Sequence, residues 1–277
     1  SFFFIGVAVS ELPRLTVAAL RVLGASGALW CVVVVAGIPV SLSQEALRAF
    51  WVMGVVNNAL PFTLIIWAQT YIASGLAAIL VATTPLFGVV LAGFTLSDER
   101  ITALRLIGVT VGFAGIVLVI GMEAVHGFGE EIVAALACLA GACCFALGSI
   151  YGRRFAVLGI DSVMAATAQV TMSSCLLVPL ALVIDRPWAL TVPGIGIVMA
   201  VAALAVGSTA FGFILYFRVL ASAGATNVLL VNFLIPLPAI ILGVFVLGEA
   251  IKSTHYIGLL LLGLGLSAVD GRLWQRS

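Results

Sequence analysis

Runs of about twenty apolar residues follow one another along the chain with only short polar breaks between them, and this pattern fixes the solvent in which it can fold. The windows cover residues 1–10, 14–37, 46–68, 74–96, 102–120, 131–152, 162–184, 195–217, 225–247 and 255–269. All but the first are close to the length that carries a helix across a hydrocarbon core of about 30 Å. Barrel strands alternate polar and apolar over about ten residues; these runs are continuously apolar, so helices are expected. Composition agrees: 64% of the 277 residues are hydrophobic and 8% charged, against roughly 25% charged in a soluble domain. The expected fold is an all-α integral membrane protein of ten transmembrane helices. The first window is half a span and begins without Met, so that helix is expected to be truncated at its N-terminus, with Phe2, Phe3 and Phe4 at mid-membrane. A signal peptide is the alternative, but no A-x-A-like cleavage site follows.

An internal repeat gives the spans an order. Glu99, Ile101, Gly108 and Gly115 recur as Glu249, Ile251, Gly258 and Gly265, in the shared pattern E-x-I-x6-G-x6-G, and Gly93 matches Gly243. With small slips Pro85 answers to Pro236, and Trp67 to Tyr216. The expected units are 1–120 and 130–277, each with five spans. An odd number of crossings turns the second unit upside down, the inverted repeat of secondary transporters, whose substrate site lies at the repeat interface near the midplane. The glycines that stripe the last span of each unit suit close helix approach. Basic residues orient the chain. With the N-terminus inside, Arg48, Arg100, Arg105, Arg153, Arg154, Arg218, Arg272 and Arg276 face the cytoplasm, and only Arg14, Arg21, Arg186 and Lys252 face outward.

Several functions are excluded by what is absent. A formal charge of +1 offers no footprint for nucleic acid. Cys31, Cys138, Cys143, Cys144 and Cys175 all fall in apolar runs without zinc-ligand spacing, so neither disulfide nor metal is expected. There is no Walker A sequence, no H-E-x-x-H and no Ser/His/Asp set at membrane depth, which argues against a pump or membrane hydrolase; no cofactor is expected. No Asp or Glu falls mid-span, so a carboxylate proton relay is not evident and transport down the solute's own gradient is expected. No Lys or Arg falls mid-span in windows 74–96 or 225–247, which disfavours phosphorylated substrates.

Two stretches carry a resemblance. Glu11 to Arg21 (E-L-P-R-L-T-V-A-A-L-R) and Ala73 to Pro85 (A-S-G-L-A-A-I-L-V-A-T-T-P), with the two Glu-containing turns and the glycine-rich helix after each, resemble the drug/metabolite transporter superfamily in its ten-helix branch with two EamA-type domains. The narrower resemblance is to bacterial inner-membrane exporters of aromatic and other neutral amino acids. It implies a basket of ten helices, with a cavity between the third, fourth, eighth and ninth, flanked by the first and sixth, opening alternately to each side. It also implies a small-molecule substrate handled within a lipid bilayer.

Polar groups that hydrophobicity would exclude are the candidate site. Asn57 and Asn58 sit mid-span in the third window, and Asn227 and Asn232 in the cytoplasmic half of the ninth. Each could instead be an interhelical hydrogen bond. Thr83, Thr84, Ser208 and Thr209 come next, although hydroxyls in helices often bond back to their own carbonyls. Pro85, Pro236 and Pro238 are matched helix breaks, expected as hinges. Trp67 and Tyr216 are proposed as cavity walls against an interfacial alternative; Met164 and Gln169 are weaker candidates. Arg21 is expected to snorkel to the outer headgroups, and Glu99 and Glu249 to stabilise helix N-termini. The leading function is export of small neutral metabolites, above all amino acids with apolar or aromatic side chains. Efflux of planar organic cations and a non-transporting scaffold or flippase-like lipid protein are the competing readings.

Overall fold

The computed structural model describes residues 1–41, 43–95, 103–120, 129–230, 235–248 and 253–270. These form ten helical units: α1 (Phe2–Ala8), α2 (Arg14–Ala36), α3 (Gln44–Ala68), α4 (Ser74–Gly93), α5 (Ala103–Ile120), α6 (Glu130–Val157), α7 (Ser162–Asp185), α8 (Ile195–Ser222), α9 (residues 225–230 and Pro236–Leu247) and α10 (Ser253–Asp270). Six of them, α2, α3, α4, α6, α7 and α8, are individually long and apolar enough to cross a bilayer. The shorter apolar helices Leu106–Leu118, Pro236–Leu247 and Tyr256–Gly265 complete the set. Large apolar side chains such as Val35, Val183, Val192 and Phe245 point outward from the bundle. In water that surface would be a fault; in lipid it is the expected facing.

The packing repeats under exchange of each helix with the one five later. The counterparts α2 and α7, α5 and α10, and α4 and α9 pack on each other. Contact of α2 with α8 is matched by α7 with α3, of α3 with α6 by α8 with α1, and of α4 with α6 by α9 with α1. The ten helices are thus two inverted five-helix repeats clasped about their shared axis. Helix ends match as well: α2 stops at Gly37 (φ 62°) and α7 at Arg186 (φ 49°), both left-handed. Asp185, at the end of α7, accepts the backbone N–H of Thr16 at 2.6 Å and its hydroxyl at 2.9 Å, capping the start of α2.

Glycine sets how closely the counterparts approach. A methyl on Gly115 would stand 2.8 Å from the carbonyl oxygen of Gly258, and one on Gly265 would stand 2.5 Å from that of Gly108. The stripes noticed in the sequence are therefore a backbone-to-backbone seam between α5 and α10.

Two corresponding helices widen at their midpoints. In α3 the run Val55–Ala59, and in α8 the run Ala203–Ala210, are π-helical. Pro61 gives a local reason in α3, since its ring excludes the ordinary bond to the carbonyl of Asn57. In α8 the Thr209 hydroxyl donates to the carbonyl of Leu204 at 2.8 Å, five residues back. Such widenings concentrate at functional sites. The matched breaks at the prolines are also present: α4 is interrupted at Ala82 and Thr83 just before Pro85, and the second half of α9 starts at Pro236 with Pro238 in its first turn. Gly224 (φ 80°, ψ 173°) turns the chain from α8 into α9, a backbone conformation that side chains strongly disfavour.

Candidate functional site

A cavity of about 340 Å³ lies between the two widened helices, near the lower end of the range for small-molecule sites. Its walls are Ser1, Phe2 and Ile5 at α1, Arg21 of α2, Asn57, Phe62 and Ile65 of α3, Val81 of α4, Phe145 and Ser149 of α6, Ser208, Gly212, Phe213, Leu215, Tyr216 and Val219 of α8, and Ile235. One side is aromatic. Phe62 packs on Phe145 and Phe213 with ring centroids 6.1 and 6.3 Å apart, and Phe213 meets Tyr216 edge-to-face at 6.0 Å.

Polar groups stand among these rings, and Arg21 dominates them. Two turns into α2, its side chain is only 7% exposed. The guanidinium lies over the Phe62 ring, 3.6 Å from the centroid, and Nε donates to the Thr209 hydroxyl at 2.8 Å. The expectation that Arg21 snorkels to the headgroups is therefore corrected: the side chain runs inward, because the ring face and the hydroxyl of the π segment give it a place. A basic residue inside an apolar run was the visible signal; the direction of its stem was not.

Asn57 adds a polar group from α3. Its Nδ2 donates to Oε1 of Gln169 on α7 at 3.2 Å. The pair needs Gly148 beneath it, where a methyl would stand 2.5 Å from Asn57 Oδ1. Tyr216 and Ser149 share a hydrogen bond of 2.8 Å across α8 and α6.

The remaining candidates divide. Ser208 faces the cavity and Thr209 reaches it through Arg21. Asn58 is fully buried beside the cavity without lining it, and neither of its amide atoms has a partner among the described residues. Thr83 and Thr84 do not line the cavity; their hydroxyls donate to the carbonyls of Leu80 and Val81, both at 2.6 Å. Trp67 lies elsewhere, its ring tilted against Tyr71 at 5.0 Å, in a separate cleft with Arg14 and Asp185. Asn227 belongs to the segment after the Gly224 kink, and Asn232, Glu99 and Glu249 lie outside the described residues. Pro85 and Pro236 stand at helix interruptions, while Pro238 lines a small cleft beside the cavity with Ser208 and Ile235. Each described Asp and Glu sits at a helix end or in a connection; Glu11 accepts the backbone N–H of Gly194, where α8 begins, at 3.0 Å.

Polar side chains and an aromatic wall thus line one cavity between matched helix widenings, and comparison with known proteins identifies the scaffold. The model of the EamA-like transporter family matches residues 1–121 and again residues 132–269. The chain belongs to the EamA-like transporter family. It is a multi-pass membrane protein and a secondary transporter, not an enzyme. Relatives include three Bacillus subtilis proteins described as uncharacterized transporters. YvbV is 27% identical over 81% of this chain and 73% of its own length. YyaM is 25% identical over 85% and 77%, and YoaV 21% over 94% and 88%. A crystal structure of a protein with 19% identity superposes with a TM-score of 0.70, covering 99% of this chain and 94% of that one, and supports the fold.

Proposed function

We propose that this EamA-like transporter exports small metabolites from the bacterial cytoplasm across the inner membrane, with amino acids bearing apolar or aromatic side chains as its substrates. The observation that carries the reading is the cavity itself: about 340 Å³, walled by Phe62, Phe145, Phe213 and Tyr216, with Arg21, Asn57, Ser149 and Ser208 as polar groups among them. Such a site takes a body that combines a planar or apolar part with a polar group. The repeat units are 1–120 and 130–277, rocking against each other about the cavity, with Pro85, Pro236 and Pro238 as hinges and both termini in the cytoplasm. Arg48 and Arg186 then lie on opposite sides, and single cysteines there, in a chain otherwise freed of cysteine, label from opposite faces; same-side labelling rejects the topology.

Energetically the protein is a facilitator. Proton coupling needs a group whose protonation differs between the two facing states, usually a carboxylate or His. Among the described residues no acidic side chain lines the cavity. Vesicles carrying the purified protein test substrate and energetics together. Labelled phenylalanine should exchange down its gradient and ignore an imposed pH gradient. Concentrative uptake that collapses with a protonophore rejects the facilitator, equal competition by planar organic cations favours the multidrug reading, and absence of phenylalanine flux rejects the amino-acid reading.

A further inference from the structure

We propose that Arg21 is the anchor for a carboxylate on the transported solute, so that the site takes carboxylic acids and amino-acid zwitterions with an apolar body and rejects organic cations. The inference rests on reading the cavity as the transport site and adds the end group that the substrate must carry.

A cation at membrane depth is costly unless something compensates it, and the usual compensation is a carboxylate. Arg21 has none: among the described residues it forms no ion pair, and no acidic side chain lines the cavity. Its partners are two neutral groups, the Phe62 ring and the Thr209 hydroxyl. Between them they use one face of the guanidinium and its Nε–H. The N–H groups of the two terminal nitrogens make no hydrogen bond among the described residues, and the side chain borders the cavity. Two parallel donors on a planar, permanently charged group match the two oxygens of a carboxylate.

The ring beneath the guanidinium also fixes its plane, so the fork is held ready before a ligand arrives. Around it the walls are apolar or neutral, and no second Lys or Arg side chain borders the cavity among the described residues. One fixed charge in an aromatic chamber suits a monoanionic head; a phosphate monoester, with close to two charges, would be left half compensated. A zwitterion's ammonium has neutral acceptors within the same walls, the Ser149 and Tyr216 hydroxyls. A solute offering only an ammonium meets a like charge instead.

Three compounds with one body and different ends test this: 3-phenylpropionate, L-phenylalanine and 2-phenylethylamine, titrated onto the purified full chain. The acid and the zwitterion should bind and the amine should not. Arg21→Gln should weaken both carboxylates about a hundredfold, and Arg21→Lys, which keeps the charge without the fork, about tenfold. Amine binding as tight as the acid, failure of both carboxylates to bind, or unchanged affinity in Arg21→Gln overturns the proposal. Should Arg21→Gln not assemble, the wild-type series and Arg21→Lys decide alone. Carboxylate binding without phenylalanine flux would remove the amino-acid reading and keep the anchor. Phenylalanine flux that is undiminished in Arg21→Gln would do the reverse.

Discussion

The same contact is made twice in this molecule with different chemistry. Where α2 packs on the widened part of α8, Arg21 donates to Thr209; where α7 packs on the widened part of α3, Gln169 accepts from Asn57. Exchange of the two repeats superimposes these helix pairs. Even the close approaches correspond, with Gly24 against Ala205 in one and Gly54 against Met172 in the other. One contact is a charged group on a hydroxyl beside the cavity, and the other is a neutral amide pair closed over a glycine. A duplicated scaffold thus supplies two equivalent positions that carry different chemistry. A carboxylate held by the two terminal nitrogens of Arg21 leaves the Nε–Thr209 bond in place, so the contact of α2 with α8 offers a ligand free donors, whereas the amide pair between α7 and α3 is closed on itself.

The comparison breaks most severely if both contacts are made cationic. Gln169 is fully buried, and Gln169→Arg would place an uncompensated charge in the closed contact at a cost of several kcal/mol. The expected result is loss of monodisperse protein on size-exclusion chromatography; a well-behaved variant would show that the amide side is as open as the arginine side. A smaller effect is expected at the glycines. Gly148→Ala forces Asn57 to move and should lower the unfolding temperature and slow transport, whereas Gly207→Ala, with open space around the added methyl, should leave both near wild type. Equal effects at the two positions would remove the distinction between a tight and a loose widening. The mildest change is Asn58→Leu. Its two amide atoms are buried without partners among the described residues, so replacing them relieves a desolvation cost of about 1–3 kcal/mol and should raise thermal stability. If stability falls instead, Asn58 makes a bond that this conformation does not show. If stability rises while flux is lost, it serves the opposite-facing state.

Architecture was legible in the sequence because it depends on properties that survive averaging. Apolar runs count the spans, and E-x-I-x6-G-x6-G exposes the repeat, since glycine at a backbone seam cannot be exchanged without separating two helices. The polar groups of the cavity were legible in part. Asn57, Ser208 and Tyr216 stood out as polar or amphipathic groups inside apolar runs and do face the cavity, and Thr209 borders it through its bond to Arg21. Thr83 and Thr84 stood out equally and face their own backbone, because composition does not say which way a hydroxyl turns. Arg21 shows the limit most clearly. Its reach allows either an outward or an inward course, and the choice is made by Phe62 and Thr209, 41 and 188 positions away in the chain. The aromatic wall was hidden for a similar reason: Phe62, Phe145 and Phe213 come from three helices, and no local pattern joins them.

The seam between α5 and α10 has a mechanical consequence. Helices held apart by side chains can slide, since rotamers adjust as ridges pass over grooves. Where a methyl at Gly265 or Gly115 would lie within 3 Å of the carbonyl of Gly108 or Gly258, there is no such lubricating layer. The two last helices of the repeats are geared to one another like a keel, each repeat contributing one plank. In the proposed alternating-access cycle, rocking of the halves would then fall to the other helices, among them α3 and α8 with their widened turns.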